Sequence, residues 1–212
     1  MDLRPYIMGQ HYTFCAIPND IEIIDICTRN NVLIVYSEIP FVIMSTDNIA
    51  LSTFNKVNLK SNIINIEEQL YIGDVYTSTT RKTIGSNDVF IVIGLSNIKK
   101  IKKTGSGRIE LSYDKHIENL SINITGSGRL ISDPIQVTNT LNCTINGSGQ
   151  ISLSKSISSI SKLSIIGSGS IVHGISKNIS SNIIGSGKIT TKGESSNHIT
   201  GSGTVTNEYG DF

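Results

Sequence analysis

Six serines in this sequence each lie between two glycines, a setting in which a serine hydroxyl or a glycine-rich loop can do chemistry. A nucleophilic serine sits on one strained turn between a strand and a helix, and a dinucleotide-binding loop needs a third glycine before a helix. Six equivalent copies between predicted strands fit neither case, so we predict no catalytic and no cofactor-binding serine. The residues of the triplets are Gly105, Ser106, Gly107, Gly126, Ser127, Gly128, Gly147, Ser148, Gly149, Gly167, Ser168, Gly169, Gly185, Ser186, Gly187, Gly201, Ser202 and Gly203.

Carboxylates and histidines, the other groups that could carry chemistry, are scattered along the chain. Hydrolases and lyases built on β-helices need convergent acidic or basic groups on one face, and no two carboxylates after residue 105 share a position in adjacent repeats. The histidines lack metal-ligand spacing, and we expect each to be solvated. We therefore predict no catalytic residue, no metal site and no enzyme. The histidines are His11, His116, His173 and His198.

Composition and charge exclude several further classes of protein. The net charge of +1 gives no electrostatic case for binding nucleic acid. No apolar run is long enough to span a membrane, and no signal peptide is visible. The three cysteines are too scattered for a disulfide framework. Of these, Cys143 falls on an inward strand position, so we expect a buried thiol.

The triplets mark an internal repeat with spacings of 21, 21, 20, 18 and 16 residues. An aliphatic residue stands two positions after every triplet, and isoleucine stands two positions before five of the six. A flexible Gly/Ser linker carries no such phased aliphatics. The residues after the triplets are Ile109, Leu130, Ile151, Ile171, Ile189 and Val205, and those before them are Lys103, Ile124, Ile145, Ile165, Ile183 and Ile199.

A repeat of about 20 residues cannot enclose a core alone, but stacked copies can bury a shared one. The prediction is an all-β fold whose second half is a single-stranded β-helix, or solenoid, of about six coils with Gly-Ser-Gly corners. The corner serines should then lie above one another about 4.8 Å apart, as neighbouring strands do. The flanking aliphatics should form two columns inside the stack, joined by other aliphatics such as Ile157, Ile160 and Ile175.

The first half of the chain is predicted to be a β-sheet or sandwich-like region that leads into the repeats. We divide the chain into an N-terminal arm (1–20), a strand-rich region (21–95) and the solenoid (96–212). Residues 85–87 look like a degenerate triplet. In the run 98–103, Ile98 and Ile101 should face inward while the four lysines are solvated or protect an edge.

The residues 90–95, 98–101 and 105–111 together resemble the GIN head domain, a family described as heads of autotransporter adhesins. The resemblance covers roughly residues 35–212. It implies a β-sheet region that continues into a β-helix, in bacterial envelope or secreted proteins without a defined catalytic site. The family commonly has an acidic residue after the triplet, and its absence here argues against a cation site. The residues at this position are Arg108, Arg129, Gln150, Ser170, Lys188 and Thr204.

These observations lead to a hypothesis of a non-enzymatic structural or adhesive β-solenoid. We expect a homo-oligomer without cofactors, with glycans or other surface proteins as partners. The richness in Ile, Asn and Lys favours an AT-rich genome, so the hypothesis places the protein on the surface of a viral particle, as a fibre or fibril component, or on another extracellular surface. The alternatives are a carbohydrate-binding or carbohydrate-processing β-helix and, last, an ice-binding one. The candidate glycosylation sites are Asn119, Asn123, Asn142 and Asn178.

Overall fold

The computed structural model describes residues 12–27, 31–45, 53–60, 62–70, 90–193 and 195–208. These residues form strands and turns and no helix, so none of them could cross a bilayer as a helix. The all-β prediction is confirmed for this part of the chain. The predicted degenerate triplet at 85–87 and most of the predicted arm lie outside the described residues.

The strands of the first half are short and rich in β-branched residues, which suit a half-buried pleated surface. They are β1 (Tyr12–Ala16), β2 (Ile23–Cys27), β3 (Asn31–Tyr36), β4 (Phe41–Ser45), β5 (Thr53–Lys60), β6 (Ile63–Leu70) and β7 (Phe90–Leu95).

The strands of the repeats flank the triplets, and the two longest, with 18 and 16 residues, run from one triplet to the next. They are β8 (Lys100–Thr104), β9 (Arg108–Ser112), β10 (Ile117–Gly126), β11 (Arg129–Ser132), β12 (Gln136–Gly147), β13 (Gln150–Gly167), β14 (Ser170–Gly185), β15 (Lys188–Lys192), β16 (Ser195–Thr200) and β17 (Thr204–Asn207).

Successive repeats pair in parallel and in register, within one large mixed sheet. Before the triplets, β10, β12, β13, β14 and β16 follow one another, and Gly126, Gly147, Gly167 and Gly185 are partners in turn. After the triplets, β9, β11, β13, β14, β15 and β17 form a second ladder. Residues that lie one repeat apart in the sequence are therefore neighbours on adjacent strands of the sheet.

Most of the aliphatics that flank the triplets belong to one continuous core. Ile109 and Ile145, for example, are both 0% exposed. The second glycine of a triplet makes room for this core: a Cβ on Gly169 would lie 2.7 Å from Cγ2 of Ile145 in the preceding repeat. At the last repeat the prediction is wrong for Ile199, which is 41% exposed because no described strand stacks beyond it.

Lys103 contradicts the prediction that the four lysines of 98–103 are solvated, because its side chain is buried. It occupies the column that isoleucines fill in later repeats and pairs in register with Ile124. The alkyl stem packs under Gly128, and Nζ donates a hydrogen bond to the carbonyl of Thr104 at 3.1 Å. A long side chain can thus bury its stem while its amine stays bonded. Ile98 and Ile101 are buried as predicted.

The N-terminal strands continue the stack in an order different from the sequence. β2 lies between β6 and β8, and β3 lies between β7 and β9, all in parallel. Antiparallel pairs of β5 with β6, and of β4 with β1 and β7, complete this end. One core cluster runs from Ile17 to Ile189 across both halves. The boundary at residues 95 and 96 stays a prediction, but strands on its two sides are hydrogen-bonded to each other.

Candidate functional site

The serines of the triplets lie at an exposed edge of the stack. The backbone N–H of Ser148 donates to the carbonyl of Gly126, and that of Ser168 donates to Gly147, each at 3.0 Å. The six serines themselves are exposed. These backbone bonds tie each triplet to the one before it, so the hydroxyls form a row along one edge.

The strands that precede the triplets, β10, β12, β13, β14 and β16, share an outward surface, which we call the polar face. Its side chains repeat from strand to strand because the pairing is in register, and most of them are Asn, Ser or Thr. Such side chains offer hydrogen-bond donors and acceptors at the strand spacing of about 4.8 Å. The rows of the polar face are Ser121, Asn142, Lys162, Ser180 and Ser196, then Asn123, Thr144, Ser164, Asn182 and His198.

A buried polar network, which the sequence analysis missed, interrupts the aliphatic core. His173 is 1% exposed, so the prediction that it is solvated is wrong. Its Nδ1 lies 2.8 Å from Oγ of Ser156, and its Nε2 lies 2.6 Å from Oγ of Ser161. Ser161 is in turn 2.6 Å from Oγ of Ser158, and the N–H of Gly174 donates to Ser156. Both ring nitrogens are therefore satisfied inside the stack.

The alternation of buried and exposed residues in β13 changes phase where its register with the neighbouring strands shifts, and this explains the network. At these shifts two consecutive residues face outward, so Ser158 and Ser161 turn inward while Ile157 and Ile160 turn outward. Ile157 is 50% exposed and Ile160 is 36% exposed, contrary to the prediction for both. Ile175, the register partner of Ile157, is also exposed.

One sequence signal could have revealed the histidine. His173 stands four residues after its triplet, the position that Leu111 and Leu153 occupy in their repeats. Leu153 and His173 are register partners, and both are buried. A residue in an inward column is buried whatever its type, so the repeat phase is a better guide than polarity.

The network predicts a stability that depends on pH. Burial lowers the pKa of His173 from 6.5 to about 4. The unfolded chain therefore binds a proton at higher pH than the folded chain does, and stability is lost as pH falls from 6.5 towards 4. Between pH 7.5 and 5.0 we expect a loss of about 2 kcal/mol from this group, measured by urea unfolding.

The matched control for this experiment is His173→Gln, which cannot titrate. The variant should be less stable than the native chain at pH 7.5, and the gap between them should narrow at pH 5.0. A gap that is the same at both pH values would show that the proton equilibrium of His173 is not linked to folding.

The nucleophile candidates of the core are enclosed: Ser156 and Ser161, which are hydrogen-bonded to the buried histidine, are 1% and 0% exposed. Burial raises the pKa of the Cys143 thiol to about 12, so the predicted buried thiol is confirmed and stays protonated at neutral pH. Glu110 forms an ion pair with Arg108 at 3.0 Å. The described residues contain no group of three metal-ligating side chains, and none of their carboxylates is the register partner of another.

The four candidate glycosylation sites all lie on strands of the polar face. Asn119 and Asn178 are exposed, while Asn123 and Asn142 are half-buried within its rows. Modification of these side chains stays a prediction.

Comparisons with solved structures show the same fold in several bacterial proteins. A "putative adhesin" from Bacteroides fragilis has a TM-score of 0.66 at 17% identity, over 96% of this chain and 99% of that one. A second one, from Parabacteroides merdae, has a TM-score of 0.56 at 16% identity, over 93% and 95% of the two chains. A "putative lipid binding protein" from Parabacteroides distasonis has a TM-score of 0.57 at 18% identity, over 93% and 96%.

The family match is broader than the resemblance drawn from the triplets. No curated protein matches the sequence closely enough to count as a relative. A family model described as "Putative auto-transporter adhesin, head GIN domain" matches residues 16–207. The match begins before β2, so it takes in the N-terminal strands that the resemblance left out. The chain therefore belongs to the GIN head domain family of adhesin-like proteins.

Proposed function

We propose that this chain is a non-enzymatic adhesive protein whose strands wind into a β-solenoid displayed on a surface. The observation that carries the proposal is the register of the repeats. Equivalent residues are register partners on successive strands, as Gly126, Gly147, Gly167 and Gly185 are. An outward side chain in one repeat therefore lies beside the equivalent outward side chain of the next repeat.

A winding of this kind follows from the two ladders and the corners between them. Each triplet joins a strand of one ladder to a strand of the other, for example β10 to β11. The first glycine of each triplet has positive φ, such as 125° at Gly147, which an L side chain rarely adopts. The simplest path of the chain that produces both ladders makes one full turn per repeat around the aliphatic core.

An adhesive role suits a surface that is repeated rather than convergent. An active site needs different groups brought to one point, whereas the polar face offers similar groups at regular intervals. Membership of an adhesin-like family adds support. A carbohydrate-processing role has no comparable support, because none of the described carboxylates is the register partner of another.

Membership of the adhesin-like family supports a location on the outer surface of a cell or particle. The richness of the sequence in Ile, Asn and Lys is what favours a viral particle. Among the described residues, β16 pairs in register with β14 and β17 with β15, and no strand is paired on their other edges. An exposed edge invites pairing with another chain, which supports a homo-oligomer.

Attachment assays test the proposal directly. Beads coated with the full chain should attach saturably to bacterial or host cells, and an excess of soluble protein should abolish the attachment. Beads that carry the heat-unfolded chain serve as the control. Attachment that equals the control would contradict an adhesive role, and the appearance of cleaved sugars in a polysaccharide incubation would contradict the non-enzymatic one.

A further inference from the structure

The near-neutral charge of the whole chain conceals a strongly basic segment. Between Asp133 and Glu194 the sequence has no acidic residue, but it has five lysines, so this stretch alone carries five positive charges. The overall charge of +1 therefore results from acidic residues placed elsewhere. The lysines are Lys155, Lys162, Lys177, Lys188 and Lys192.

Two of these lysines line a groove of about 580 Å³ on the polar face. Lys162 lies in the row that continues to Ser180 and Ser196, and Lys177 lies beside the row of Ile160 and Asn178. Both lysines are exposed. The groove thus combines two cations with hydroxyl and amide groups. Its lining is Ile160, Ser161, Lys162, Lys177, Asn178, Ile179, Ser180, Ser195 and Ser196.

The lysines of the groove differ from those near the start of the stack in having no acidic partner. Lys99 forms an ion pair with Glu22 at 2.9 Å, and Lys102 forms one with Asp25 at 3.3 Å. Within the described ranges, neither Lys162 nor Lys177 has a carboxylate at ion-pair distance. Their charges are available to a ligand from outside the chain.

We propose that this groove binds an anionic polysaccharide, with Lys162 and Lys177 holding its acidic groups and the exposed Ser180, Ser196 and Asn178 bonding its hydroxyls. The inference rests on the proposed adhesive function and names the ligand class of that function. Lysine ammonium groups attract carboxylate or sulfate oxygens, and Ser and Asn side chains both donate and accept hydrogen bonds. The rows repeat about every 4.8 Å, a spacing comparable with the length of one sugar ring, so a linear polymer can contact successive strands.

Other polyanions suit the groove less well. Single-stranded nucleic acids bind to grooves in which bases stack on aromatic rings, and the sequence has no Phe, Tyr or Trp from 114 to 208. An anionic membrane would favour a wide apolar surface beneath the cations, whereas Ile160 is the one exposed large aliphatic in the groove lining.

The test compares two variants that lose the same charge. Lys162→Gln/Lys177→Gln removes the lysines of the groove, and Lys155→Gln/Lys188→Gln removes two exposed lysines outside it. The probes are dextran sulfate, polygalacturonate, unmodified dextran and phosphatidylglycerol vesicles, at an ionic strength near physiological so that diffuse attraction is screened. We expect the two acidic polysaccharides to bind the native chain, with affinity about tenfold or more weaker for the groove variant and changed by less than about twofold for the control.

Several outcomes would overturn the inference. If both variants lost the same affinity for the acidic polysaccharides, the attraction would be diffuse rather than specific to the groove. If unmodified dextran bound as tightly as the acidic polysaccharides, the lysines would have no role. If the vesicles bound more tightly than the polysaccharides, the ligand would be a lipid surface instead. Absence of any binding would also overturn it. Bead attachment that survives in the groove variant would contradict this site while leaving the adhesive function standing, whereas polysaccharide binding without bead attachment would contradict only the adhesive function.

Discussion

Alanine in place of Gly167 is expected to destabilise the protein by about 3–5 kcal/mol. The φ of Gly167 is 120°, a backbone conformation that costs free energy for any residue with a Cβ. That Cβ would also lie 2.5 Å from the carbonyl oxygen of Gly147 in the preceding repeat. Because the obstructing atom belongs to the backbone of a paired strand, it cannot move aside without breaking the ladder. Urea unfolding of the native chain and the variant at neutral pH measures the loss.

Gly105→Ala is the matched control for this change. Gly105 also has positive φ, at 84°, but a Cβ there would meet no atom within 4 Å. The control therefore carries the backbone strain without the clash, and we expect it to cost about 1–2 kcal/mol. Equal losses for Gly105→Ala and Gly167→Ala would show that close approach of the corners is not what requires glycine.

Truncation of Ile165 to alanine is expected to cost about 2–5 kcal/mol, because a fully buried side chain leaves a cavity when it is removed. Ile165 is 0% exposed and lies in register between Ile145 and Ile183, in the middle of an aliphatic column. The strands above and below it are held by backbone hydrogen bonds, so they cannot collapse into the space. Thermal or urea unfolding measures the effect.

The adjacent Ile166 provides the control, since it has the same chemistry and points the other way. It is 45% exposed, and Ile166→Ala should change the free energy of unfolding by less than about 1 kcal/mol. If Ile166→Ala proved as costly as Ile165→Ala, the assignment of an inside and an outside to this strand would be wrong.

The repeat of the fold was readable from the sequence because glycine is required at the same point of each repeat. The aliphatics two positions from the triplets followed from that phase, and nearly all of them are buried. Cys143 was placed inside by the same reasoning. Long-range strand pairing could be inferred here because residues separated by one repeat period become neighbours in the sheet.

Residues near the register shifts could not be placed in this way. A pattern that alternates along a strand changes phase where two neighbouring residues both face outward, and the sequence carries no mark of that event. Ile157 was therefore predicted inside and is outside. His173 was misplaced for another reason: its inward column could be read from the repeat, but its polarity decided the prediction. The net charge of the chain was misleading for a related reason, since it sums charges on surfaces that the fold separates. The groove at Lys162 and Lys177 forms only when β13, β14 and β16 are stacked.

The sequence by itself determined the all-β class, the in-register pairing of the repeats and the aliphatic column, because each depends on residues that recur at a nearly constant interval. Only the tertiary structure decided the order of the N-terminal strands, in which β2 lies between β6 and β8, and β3 lies between β7 and β9. This order differs from the order along the chain. The strands at that end carry no triplet and no common period, so their order is set by which apolar faces pack together, a choice made by the whole core.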